Sequence, residues 1–117
     1  MSRMFVPGPV DVAEEVLQAQ TRPMLPHRSK EFEEIYRRTA DKASKLFFTQ
    51  SRVFLTASSG TGLQEAAIRN FVHRRVLSCV NGAFADRWYE VAISNGKEAE
   101  KLAFEWDEPI APQRVAE

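Results

Sequence analysis

The 117-residue chain reads as an α/β fold built on a mainly parallel sheet. Three observations predict it. Short runs that suit strands, at residues 52–57, 75–80 and 100–105, alternate with stretches whose apolar residues recur at helical spacing. Small-residue turns, 58–62 and Asn81-Gly82, lead from a run of the first kind into one of the second. The composition, 44% hydrophobic and 27% charged, is that of a globular domain with material for a core.

The elements follow in order. Two prolines flank Gly8, so residues 5–9 should form an irregular arm. Asp11 and Glu14 have the spacing of an N-cap and its N3 partner, which predicts a short helix to about Gln20. Pro23 and Pro26 end it. Ser29 can cap a second helix. Its apolar stripe is Phe32, Ile35, Tyr36, Ala43, Leu46 and Phe47, reaching Phe48 and burying one face. Residues 52–57 suit a strand covered on both faces, and 63–71 a helix with Ala66, Ala67 and Ile68 inward. A second strand fits 75–80. Phe84, Trp88, Val91 and Ala92 mark the next helix, stopped by Asn95-Gly96, and a third strand fits 100–105. Pro112 suits the first turn of a last helix. Three strands make a thin sheet, so the chain is expected to be part of a larger protein.

Sixteen basic residues balance sixteen acidic ones, which leaves no electrostatic footprint for nucleic acid or an acidic membrane. Arg37-Arg38 and Arg74-Arg75 are read as solvated surface. The single cysteine, Cys79, lies in an apolar run and reads as a core thiol. His27 and His73 have no metal-ligand motif around them, so no metal site is expected. The N-terminus has no apolar core of a signal peptide, and no window approaches a membrane span; a cytoplasmic location is the default.

The segment with most chemical content runs from the strand at 52–57 through Ser58-Ser59-Gly60-Thr61-Gly62 into a helix. Backbone N–H groups at such a helix start are unpaired, the helix dipole favours an anion there, and hydroxyls add donors. No Gly-Lys-Ser/Thr follows, so it is no Walker A loop. Glu65 stands where a dinucleotide fingerprint needs its third glycine. Phosphate binding and an ordinary strand-to-helix turn both fit the spacing. Phe84 likewise suits either stacking on a planar ligand or core packing.

Four segments, in order, resemble the class V, fold-type I pyridoxal-phosphate (PLP) aminotransferases, nearest the alanine–glyoxylate and serine–glyoxylate group. They are Pro7-Gly8-Pro9; His27-Arg28-Ser29 with Phe32; Ser59-Gly60-Thr61 with Glu65-Ala66-Ala67; and Asn81-Gly82-Ala83-Phe84 with Arg87-Trp88. The resemblance covers nearly the whole chain and about the first third of a complete enzyme. It implies a partial PLP-transferase large domain over 29–117, preceded by an arm and short helix over 1–28. Ser59, Gly60 and Thr61 match the loop that binds the PLP phosphate, Phe84 the aromatic residue that stacks on the pyridine ring, and Gly8 an arm glycine near the substrate pocket. A small amino acid and a 2-oxo acid are the implied substrates, and a homodimer the implied assembly.

The chain departs from the family where 70–75 lacks a Pro-Gly-Asp turn, where Ser58 replaces a common glycine, and at Val10. The family also needs a lysine that bonds PLP, an aspartate at the pyridine nitrogen and an arginine for the substrate carboxylate. Lys30, Lys42, Lys45, Lys97 and Lys101 do not occupy the lysine's motif position. The 117 residues alone are therefore expected to be inactive. Desulfurase or lyase chemistry on the same fold, and a non-enzymatic phosphate-binding α/β module, are the alternatives.

Overall fold

In a computed structural model that describes residues 3–116, the contacts divide the chain into two units, Met1–Leu55 and Thr56–Glu117. Each is described by itself.

The first unit carries α1 (Glu14–Ala19) and α2 (Lys30–Leu46). Ala13, not Asp11, is the N-cap of α1, and it makes no side-chain cap. The Asp11 carboxylate instead accepts a hydrogen bond from the Met4 N–H at 3.0 Å, folding the arm onto the turn before the helix. Ser29 does cap α2: its Oγ accepts from the Phe32 N–H at 3.2 Å. Ser29→Ala should cost about 1 kcal/mol of α2 stability, read as reduced amide-exchange protection in the helix's first turn.

Three expectations fail over residues 30–57. The α2 stripe is not buried among the described residues, since Phe32, Ile35 and Tyr36 all stay more than a third exposed. The helix stops at Leu46, and Phe48 turns into the left-handed region with φ 51°. Residues 52–57 form no strand. Their β propensity has no ladder partner among the described residues, and propensity without pairing makes no sheet. The Leu55 N–H is taken by the Tyr36 hydroxyl at 3.3 Å.

The second unit follows the predicted alternation: α3 (Gly60–Phe71), β1 (Arg75–Val80), α4 (Ala83–Ser94), β2 (Glu98–Ala103) and α5 (Pro112–Ala116). β1 and β2 pair in parallel, with Arg75 opposite Glu98 and Val80 opposite Ala103, and α4 is the crossover. Ile68 of α3 and Val91 and Ala92 of α4 form the core, with Val72, Val76 and Ala99 packed against them. Ala66 points outward instead, and Cys79 is only half-buried. Gly96, at φ 70°, reverses the chain after α4, a conformation that favours glycine.

β2 begins two residues before the sequence pattern suggests. The ladder starts where Arg74 and Arg75 reach across to Glu98 and Glu100 at 2.9 and 2.7 Å, so Glu98, outside the predicted strand, is part of it. On α4, Asp86 holds Lys101 of β2 at 2.6 Å, and this hydrogen bond keeps the ammonium pKa above its ordinary value.

Candidate functional site

α3 starts at Gly60, three residues earlier than its apolar pattern suggests, so Gly60, Thr61 and Gly62 are its first turn rather than a loop. Ser59 is the reason: its Oγ accepts from the Gly62 N–H at 3.1 Å, and its carbonyl takes the Leu63 N–H at 3.2 Å. A hydroxyl that accepts in this way still has its own O–H to donate. The N–H groups of Gly60 and Thr61 have no acceptor among the described residues, as the first positions of a helix dictate. Gly62 is packed beneath Ser58, whose Oγ occupies the space a Cβ would take.

The second component is the start of α4. β1 ends at Val80, Asn81-Gly82 turns the chain, and Phe84 falls on the first helical turn. It is 70% exposed, so core packing does not account for it. Gly60, Thr61 and Gln64 of α3 and Ala83, Phe84 and Arg87 of α4 line one cleft of about 310 Å³. The parallel β1–α4 connection produces this geometry by bringing the start of α4 to the carboxyl end of the sheet, the end where open α/β sheets bind ligands.

Of the residues singled out from sequence, Gly60, Thr61 and Phe84 thus share the cleft, and Ser59 is the cap immediately before it. Gly8 belongs to the other unit, where it is exposed in the arm before a cis Gly8–Pro9 peptide. Gln64 and Arg87 received no role from sequence. Their signal was helical spacing: each lies three residues after a singled-out residue, Thr61 or Phe84, and so on the same helix face. Gln64 Oε1 is buried without a hydrogen-bond partner, and Arg87 reaches Glu90 at 2.8 Å.

Donors and shape suit an anionic planar ligand. The space around Gly60 is open, and its N–H has no acceptor among the described residues. Phe84 offers an exposed ring, and Arg87 supplies a full positive charge.

No family model matches the chain. Individual proteins do. An uncharacterized aminotransferase of Methanocaldococcus jannaschii is 34% identical over 116 residues, 97% of this chain and 30% of that protein. An aspartate aminotransferase of subgroup IV from Thermus thermophilus superposes with a TM-score of 0.88 at 33% identity, over 95% of this chain and 32% of that one. The chain is homologous to a segment of the aminotransferases. The chain is also 29% identical to a serine–glyoxylate aminotransferase of Methylorubrum extorquens, over 99% of its length and 30% of the relative's. A protein named soluble hydrogenase, small subunit, from Synechococcus sp. is 38% identical over 93% of the segment and 29% of that protein. The segment therefore spans about 30% of the curated relatives it matches. Its α/β architecture is that of a partial fold-type I aminotransferase.

Proposed function

We propose that the chain is the N-terminal part of a PLP-dependent aminotransferase of class V, and that the cleft between α3 and α4 holds the cofactor. The complete protein would move an amino group from a small amino acid, alanine or serine, to glyoxylate or pyruvate, as a cytoplasmic homodimer. One observation carries the cofactor assignment: Thr61 and Gly60, with donors unspent, line the same cleft as the exposed ring of Phe84.

The N–H groups of Gly60 and Thr61 and the hydroxyls of Ser59 and Thr61 would hold the phosphate at the positive end of α3. Phe84 would cover one face of the pyridine ring and keep water from it. When bound, PLP supplies an electron sink that makes the α-proton of an amino acid removable. The lysine and aspartate that such chemistry needs have no counterpart among these 117 residues, so the chain by itself should bind and not turn over. The glyoxylate acceptor is supported by the name of the Methylorubrum relative.

Pyridoxine 5′-phosphate tests the cleft without complication, because it has no aldehyde to bond with surface lysines. Titrated against the chain by calorimetry, it should bind and protect the amides of 59–61 from exchange. Protection by ATP but not by pyridoxine phosphate would sink the cofactor assignment in favour of a nucleotide module.

A further inference from the structure

Resting on the reading of the cleft as a PLP site, we infer that Arg87 exchanges Glu90 for the cofactor phosphate and that Glu90 tunes how tightly the phosphate is held. A phosphate monoester carries a charge of about −1.5 to −2 at neutral pH. The other donors at the cleft, two N–H groups and two hydroxyls, offer hydrogen bonds but no full charge. Arg87 is the cation among the lining residues.

Its position fits the exchange. Arg87 and Thr61 line both the cofactor cleft and a second groove of about 570 Å³, whose walls include Glu65 and Glu90. The guanidinium stands at the border between an acidic groove and the proposed phosphate site. On the groove side Arg69 already neutralises Glu65 at 2.9 Å, which leaves Glu90 as the carboxylate on Arg87. That pair lies within one turn of α4, with both side chains 54% exposed, and exposed pairs of this kind are weakly held. A phosphate dianion flanked by a helix start is the stronger partner, and the planar fork of arginine matches its oxygens. Glu90 then competes with the ligand for one guanidinium. It restrains Arg87 in the free protein and lowers affinity for the phosphate.

Calorimetric titration of the whole chain with pyridoxine 5′-phosphate at low salt tests this. Arg87→Ala should weaken binding about tenfold, Arg87→Lys less, and Glu90→Gln should strengthen it about twofold to fivefold. Inorganic phosphate should compete for the wild-type site, and Arg87→Ala should raise the concentration it needs. The gain from Glu90→Gln is the decisive arm, because a folding defect cannot produce it. Wild-type affinity in both Arg87→Ala and Glu90→Gln would overturn the role of Arg87 and leave the cofactor reading standing. Absence of binding by the wild-type chain would remove both.

Discussion

Ile68→Ala should lower the unfolding free energy of the second unit by about 2–4 kcal/mol, the usual cost of emptying a large aliphatic site in a packed core. Ile68 is 3% exposed, and among the described residues only Val91 and Ala92 share its buried cluster. Few neighbours can collapse into the space, and few other contacts remain to hold α3 against α4. Trp88 and Trp106 both lie in this unit, so urea denaturation followed by tryptophan fluorescence reports on it directly. The chain should unfold at distinctly lower urea with little change in slope. A loss below about 1 kcal/mol would mean that the α3–α4 contact is not what holds the unit together.

Phe84→Ala should do the opposite: leave stability nearly unchanged and weaken binding. The ring is 70% exposed, so truncating it empties no core. Stacking on a planar ligand is worth about 0.5–1.5 kcal/mol beyond area burial, hence up to about a tenfold loss in affinity for pyridoxine 5′-phosphate. Phe84→Trp should keep most of the affinity, since it preserves the stacking face. An unchanged dissociation constant in Phe84→Ala, with Ser59→Ala still weakening binding, would show that the ligand sits on α3 alone.

The two predictions separate because the second unit uses its apolar residues in two ways. Ile68, Val91 and Ala92 lie inward at helical spacing, while Phe84, on the same helix as two of them, faces a cleft. Sequence pattern treats all four alike. It placed β1 at 75–80 and the stop of α4 at Asn95-Gly96 because both signals are local: a run of β-formers, and a glycine whose φ of 70° other residues resist. It misplaced the start of α3 by three residues, since Gly60-Thr61-Gly62 reads as a small-residue loop before the apolar pattern begins at Leu63. The hydrogen bond from the Gly62 N–H to Ser59 sets the earlier start. It also overstated residues 52–57 and the stripe of α2, where an apolar pattern finds no burying partner among the described residues.

By itself, then, the amino-acid sequence determined the helix–strand alternation of the second unit and the cap at Ser29, because each depends on residues within a few positions of one another. Only the tertiary structure decided that Gly60 and Thr61 share a cleft with Phe84 and Arg87, more than twenty residues on. The physical reason is the parallel pairing of β1 with β2: it makes α4 a crossover, packs α4 against α3 through Ile68, Val91 and Ala92, and so sets two helix starts side by side.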